Sequence, residues 1–265
     1  MVVPAWWWRR VAEGDSIVRM ARRIEAAFEG REVLAAEAPN PRSPLVRSAG
    51  RLAGHSLLGT ETRGKHLLLN FSPELVLHAH MGMSGGWYVY RQGQRWRRLR
   101  RSAWLVMDLG GVEVVQFGGP TLRLVRPVEL ARDTRLASLG PDILGGPEAV
   151  SRAASNLAAA GRVELGEALL NQRLVAGIGN IFKSESCFEA GLDPWRLVSG
   201  LDESQIRSVL EVAASQMERG VETGRRPGRI YRKSGEPCPG CGGRIRSRGQ
   251  GDDNRTTYWC PSCQS

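Results

Sequence analysis

Between Ile17 and Phe28 the apolar residues Ile17, Met20, Ala21, Ile24, Ala27 and Phe28 recur at helical spacing. This pattern predicts an amphipathic helix with Arg19, Arg22 and Arg23 on its solvated face. Asp15 or Ser16 is placed to cap its start and Gly30 to end it. From about residue 32 to residue 117 the texture changes. Residues 66–71, 75–78, 87–90, 104–107 and 112–117 read as short strands, and 108–111 as a hairpin turn. Regular short strands point to a β-sandwich or barrel. Gly140-Pro141 marks a boundary, beyond which residues 147–160, 164–171, 180–190 and 203–218 read as helices. In the last of these, Ile206, Val209, Leu210, Ala213 and Met217 share one side. Residues 220–228, rich in Gly and Arg, read as a linker, and 256–259 as a strand. No internal repeat interrupts this order.

Composition narrows the picture. The chain has 265 residues and 42% hydrophobic content, enough for about two domains with sizeable cores. The net charge of +10 is spread along the sequence, so it is not a property of one tail. A basic folded chain of this kind points to nucleic acid more than to an anionic membrane surface. No apolar run approaches the length of a membrane span. Residues 1–10 place an Arg pair after an apolar stretch, the wrong order for a signal peptide. Trp6, Trp7 and Trp8 are either an aromatic binding patch or lie outside the mature protein.

The cysteines carry the sharpest chemistry. Cys238 and Cys241 form one CxxC pair, Cys260 and Cys263 a second, with eighteen residues between them. Each pair folds a knuckle that aims two thiolates at one point, and four sulfurs complete a closed tetrahedral site for one structural Zn2+. Thiols used in this way suit a reducing cytoplasm. Arg244, Arg246, Arg248 and Arg255 lie between the pairs, so a metal-pinned hairpin with a basic tip is expected. A ribbon that merely caps a domain edge is the plainer alternative. The fifth cysteine, Cys187, sits among Ile181, Phe182 and Phe188 and reads as a small core residue. Upstream, Gly177 and Gly179 form a compact turn between two helices. A helix beginning near Asn180 would present free N–H groups to an anion such as phosphate.

The stretch LLNQRLVAGIGNIFKSESCFEAGLDP, followed by GEPCPGCGGRIRSRGQGDDNRTTYWCPSCQ, resembles the helix–two-turn–helix and zinc-finger halves of the formamidopyrimidine-DNA glycosylase/endonuclease VIII family. The likeness extends through RGKHLLLNF and HMGMSGGW to AEGDSIVRMARRIEAAFEG, and so covers nearly all of residues 12–265. It implies an α+β multidomain fold: an N-terminal β-sandwich flanked by helices, a helix–two-turn–helix domain and a C-terminal β-hairpin zinc finger. The expected boundaries are 1–11 for an extension outside the enzyme, 12–140 for the catalytic sandwich, 141–229 for the helical domain and 230–265 for the finger.

The resemblance also implies roles. The free N-terminal amine of the family attacks C1′ of a damaged nucleotide, releases the base and cleaves the strand through a Schiff base. Its position matches Ala12, where the family usually has Pro, and the adjacent carboxylate matches Glu13. An α-amine suits the task because its unperturbed pKa of about 7.7–8.0 leaves more of it unprotonated than a lysine. An amine at Ala12 requires that residues 1–11 be absent, with translation starting at position 11 on a GTG codon that reads internally as Val11. Glu13 would be the general acid/base. Lys65 would contact a phosphate beside the lesion, and Arg255 would grip the lesion's phosphate with its planar fork. Asn180, Tyr231 and Arg232 would hold the backbone. Met83 would fill the void left by the flipped base, and Phe117 would wedge the duplex.

Val115 stands where the oxidised-purine branch usually has Arg, and residues 217–231 are short for that branch's base-covering loop. The AEGD start resembles actinobacterial endonuclease VIII-like proteins. The expected substrate is therefore damaged DNA with oxidised pyrimidines or abasic sites, handled by a monomer in the bacterial cytoplasm. A purine-directed glycosylase, a non-catalytic damage binder and a zinc ribbon that joins a protein complex are the alternatives.

Overall fold

The computed structural model describes residues 12–72, 74–82 and 85–265, so the expected extension and Met83 lie outside the described residues. The chain divides into two compact units. One holds Ala12 and Ser16–Ala137; the other holds Glu13–Asp15 and Ser138–Ser265.

The first unit is a sandwich of two four-stranded antiparallel sheets. Strands β1 (Ala35–Glu37), β6 (Leu105–Asp108), β7 (Val112–Phe117) and β5 (Gly86–Arg91) form one sheet in that order. Strands β2 (Gly59–Arg63), β3 (His66–Ser72), β4 (Leu75–His80) and β8 (Thr121–Val125) form the other. Alternation along the strands sends Leu67, Leu69, Leu77, Met107 and Val114 into a shared core. The helix α1 (Gly14–Phe28) adds Ile17, Ala21, Ile24 and Phe28 to it. Full burial of side chains of this size stabilises the unit by about 1.5–3 kcal/mol each. The β6–β7 turn falls at 108–111 as expected, because Gly110 and Gly111 take φ of 71° and 90°, which other residues rarely adopt.

The short helices α2 (Pro127–Ala131) and α3 (Thr134–Ala137) close this unit. The second unit contains α4 (Pro147–Ala158), α5 (Leu165–Leu170), α6 (Asn180–Glu189) and α7 (Glu203–Thr223). Val150, Leu157, Leu169, Phe182, Val209, Leu210 and Met217 are among the residues of its core. Strands β9 (Arg246–Gln250) and β10 (Arg255–Trp259) form the expected hairpin, paired from Arg246↔Trp259 to Gln250↔Arg255.

Two local expectations need correction. Asp15 does not cap α1; the helix already begins at Gly14, and the Asp15 carboxylate inside the first turn binds Arg226. The linker does not begin at Gly220. Helix α7 runs through it to Thr223 and stops at Gly224, which takes the left-handed conformation at φ 68°. Gly220 stays helical because tertiary packing wants it small: a β-carbon there would lie 3.1 Å from Asp15 Oδ2.

Candidate active site around the start of α6

The N-terminal turn of α6 leaves backbone N–H groups without intrahelical partners, and the side chain that meets them comes from residue 13. Glu13 Oε1 accepts from Ile181 N at 2.9 Å and Oε2 from Phe182 N at 3.3 Å. The carboxylate is fully buried. The helix dipole favours a negative charge at this place. Gly179 makes the approach possible, since a β-carbon there would overlap Glu13 Cδ and Cγ. Gly14 N donates to Gly177 O at 3.0 Å, which ties the same segment to the two-glycine turn. Gln172 staples that turn from inside: its Oε1 accepts from Gly177 N and its Nε2 donates to Ile178 O.

Two ions lie beside Glu13. Arg226 pairs with Asp15 through Nε to Oδ2 at 2.8 Å and through a second bond from Nη2 to Oδ1. Lys183, one turn into α6, is fully buried and donates through Nζ to Thr257 Oγ1 on β10. Burial pulls the Lys183 pKa down to about 8; Arg255 acts in the same direction, while Cys187 and Glu13 act against it. Thr257 Oγ1 also bonds Gln250 Oε1, and Gln250 Nε2 donates to Glu164 Oε2 and Pro194 O. A polar chain thus joins the hairpin to α6 and to the segment before α5.

Asn180 sits at the same junction. Its Nδ2 donates to Thr256 O at 2.7 Å, which ties the first residue of α6 to β10. Arg255 opens β10; it is exposed, with Asp253 Oδ2 3.5 Å from Nη2. The segment before the finger is held by one side chain. Glu185 on α6 accepts from Arg229 N, Ile230 N and Tyr231 N at 3.0, 3.0 and 2.8 Å. Tyr231 packs edge-on against Tyr258, and Arg232 takes a positive φ of 62°. Glu13, Asn180, Tyr231, Arg232 and Arg255 are therefore all carried by the second unit. Lys65 lies in the first, half-buried in the turn between β2 and β3.

The finger's four cysteine sulfurs lie within 4.8 Å of one another. Cys238 Sγ is 3.7 Å from Cys263 Sγ, and Cys241 Sγ is 3.5 Å from Cys260 Sγ. Four sulfurs bound about 2.3 Å from a central ion stand about 3.8 Å apart, so the cluster fits a tetrahedral metal. Cys187 is no part of it: the thiol is fully buried, and burial pushes its pKa up to about 12.

Phe117 is corrected. It is 1% exposed and stands edge-on to Tyr88 and Trp96 in a buried aromatic cluster, so it offers no face to a duplex. The alternation of β7 puts Val114 in the sandwich core and turns Val115 and Phe117 to the opposite face of the sheet, where they pack with Tyr88, Tyr90 and Trp96. Lys183, Glu185 and Gln172 were not anticipated. Nothing in their spacing separates them from a solvated helix face or loop.

Family comparison agrees with this layout. Residues 11–120 match the formamidopyrimidine-DNA glycosylase N-terminal domain, 139–231 its H2TH domain and 235–265 the zinc finger found in FPG and IleRS. The chain belongs to the formamidopyrimidine-DNA glycosylase/endonuclease VIII family. Members of this family are base-excision DNA glycosylases with AP-lyase activity. The chain is 35% identical to a probable endonuclease 8 2 of Streptomyces coelicolor, over 96% of this chain and 94% of that protein. It is 32% identical to the DNA-(apurinic or apyrimidinic site) lyase Nei2 of Mycolicibacterium smegmatis, over 96% and 98%. The fold superposes on Lactococcus lactis formamidopyrimidine-DNA glycosylase, solved with DNA containing an AP site. The TM-score is 0.81 at 22% identity, covering 96% of this chain and 99% of that one. No helix among the described residues is long and apolar enough to cross a membrane.

Proposed function

We propose that this family member is a bifunctional glycosylase and AP lyase that acts on oxidised pyrimidines and abasic sites in damaged DNA, with the amine of Ala12 as its nucleophile. The observation that carries the reading is the buried Glu13 carboxylate. It is the next residue after Ala12, and its two oxygens are fixed by the N–H groups of Ile181 and Phe182. A carboxylate held so rigidly is a suitable general acid/base, because it needs no rearrangement at the moment of proton transfer.

The chemistry runs in two stages. The unprotonated Ala12 amine forms a bond to C1′ as the glycosidic bond breaks. A proton reaches the departing base, and the sugar ring opens to leave an imine between Ala12 and C1′. Loss of a C2′ proton then expels the 3′ phosphate, and a second elimination expels the 5′ phosphate. Ala12 gives a neutral imine that must be protonated to act as an electron sink, where proline would give a cation directly. Lys65 and Arg255 would bind flanking phosphates, with Arg255 supporting the second elimination. Asn180, Tyr231 and Arg232 would hold the strand from the helical and finger side.

Cys238, Cys241, Cys260 and Cys263 would hold one Zn2+. A closed set of four thiolates leaves no position for water, so the metal would organise the hairpin that carries Arg255. Thiolates used in this way fit a bacterial cytoplasm. The short 217–231 segment and Val115 favour pyrimidines over purines.

Borohydride trapping tests the proposal. A chain beginning at Ala12 should cross-link to abasic-site DNA, and one retaining residues 1–11 should not. Absence of trapping with the shorter chain would leave a non-catalytic binder. Incision of duplexes carrying an oxidised pyrimidine or an oxidised guanine decides the branch.

A further inference from the structure

The outer face of the sheet β2-β3-β4-β8 carries a row of polar side chains that the chemistry above does not use. His66 on β3 stands opposite His80 on β4, and His78 on β4 stands opposite Arg123 on β8. Their alternating neighbours Leu67, Leu77, Ala79 and Leu122 turn into the sandwich core. The polar groups are chained together. Asp133 pairs with Arg123. Arg123 Nε donates to His78 Nδ1 at 3.1 Å, and His78 Nε2 lies 2.9 Å from His66 Nδ1. His66 directly follows Lys65, and its ring centre is 4.6 Å from that of His80.

The order of donors in this chain is forced. A guanidinium only donates, so His78 Nδ1 is an acceptor without a proton. In a neutral ring the proton of His78 then sits on Nε2 and points at His66 Nδ1. That nitrogen must accept, which puts the single proton of His66 on its own Nε2. The rings stay neutral because charging them is unfavourable from nearly every side. His78 is buried, and its pKa is held down to about 4 by burial and by Arg123; Arg63 and His80 act in the same direction. Burial, His80, His78 and Arg123 hold His66 down to about 3. Among the described residues, Asp133 is the facing group that favours protonation, and it is committed to Arg123.

We propose that Asp133, Arg123 and His78 are positioning residues that lock His66 as a neutral Nε2–H donor, and that this N–H bonds a phosphate oxygen of the DNA backbone next to the phosphate taken by Lys65. The proposal rests on the phosphate-binding reading of Lys65. It assigns the two neighbouring residues different work. Lys65 supplies charge, and with it salt-dependent affinity. His66 supplies a directed hydrogen bond whose strength does not depend on displaced counterions.

Two measurements on the full-length chain test this. Two-bond 15N–1H spectra of the histidine rings should show His66 and His78 as Nε2–H tautomers without titration from about pH 5.5 to 8. In Arg123→Leu both rings should become tautomer mixtures, and the pKa of His78, which Arg123 faces directly, should rise while burial still holds both rings below the unperturbed value of about 6.5. A charged or Nδ1–H form of His66 in the unmodified chain overturns the lock, as does an Arg123→Leu spectrum identical to the original. The second measurement is the affinity for abasic-site DNA across a salt series, with thermal melting to confirm that each variant is folded. His66→Phe should weaken binding about three- to tenfold at every salt concentration and leave the salt slope unchanged. Lys65→Met should lower the slope by about one. Unchanged affinity in His66→Phe, or a change of slope like that of Lys65→Met, overturns the phosphate contact. A slope that Lys65→Met does not move removes the phosphate reading of Lys65, and with it the contact of His66, while the spectra still decide the lock separately.

Discussion

Helix α6 and strand β4 are both buried along nearly their whole length, yet they bury different chemistry. Helix α6 takes in ionisable side chains. Lys183 and Glu185 are fully buried on it, and Glu13 lies fully buried against its first turn. Strand β4 takes in a ring that stays neutral, His78. An ion removed from water needs a partner of opposite charge or several hydrogen bonds, so each one on α6 drags a distant segment to it. Glu185 holds 229–231, and Lys183 holds Thr257. A neutral imidazole asks for less, and in return its two nitrogens transmit direction from one neighbour to the next. The first strategy fixes where elements go; the second fixes which way a proton points.

This contrast can be broken by experiment. The largest effect should come from Arg226→Leu, which strands the Asp15 carboxylate in a site where both side chains are almost inaccessible. Loss of one partner of a buried pair costs about 3–5 kcal/mol, readable by denaturant unfolding. A loss under about 1 kcal/mol would show that the ions around α6 are not needed as pairs.

Lys183→Met should have an effect that depends on pH. The folded pKa of Lys183 is lowered to about 8 from the ordinary 10.5, so folding disfavours its protonated form. That penalty is fully present below about 8 and is relieved as pH rises toward the unfolded value. The original chain should therefore gain stability relative to Lys183→Met between these two values, with a slope of up to about 1.4 kcal/mol per pH unit. Parallel stability curves for the two chains would mean that Lys183 is not a buried cation.

Arg100→Ala should have the smallest effect. Arg100 bonds Glu37 and Glu113, but the Arg100 and Glu37 side chains are 54% and 56% exposed. Such pairs contribute at most about 1 kcal/mol, and added salt should erase the difference. A larger loss would place the sandwich's surface ions in the same class as those around α6.

The sequence makes some of this visible and hides the rest for a physical reason. The strands from β3 to β7 show as short β-rich runs between turn residues, and the two cysteine pairs need only local spacing to aim at one point. The short strands β1, β2 and β8 fall below what periodicity can show; Ala35–Glu37 has three residues and no fully buried side chain. Resemblance nominates Glu13, Lys65, Asn180 and Arg255 for the candidate site, and the first turn of α6 brings Glu13 and Asn180 to one place. The site is not legible at Lys183-Ser-Glu-Ser186, a polar run that winds most of the way round the helix and would ordinarily meet water, yet is buried entirely. The partners of those residues come from positions such as 229–231 and 257, and no local pattern encodes them. Phe117 shows the opposite failure: a motif nominated an exposed wedge, while Tyr88 and Trp96 on the outer face of its sheet bury the ring.

Gly220 carries a lesson for anyone who would stabilise this chain by design. Replacing glycine inside a helix with alanine is a standard improvement, worth about 0.5–1 kcal/mol in an isolated helix. Here the added methyl would lie 3.1 Å from a carboxylate oxygen that Arg226 already holds in place. The change that propensity scales recommend most strongly in α7 would press on Asp15, two residues from Glu13, so a better helix former there would loosen the very ion pair the helix is packed around.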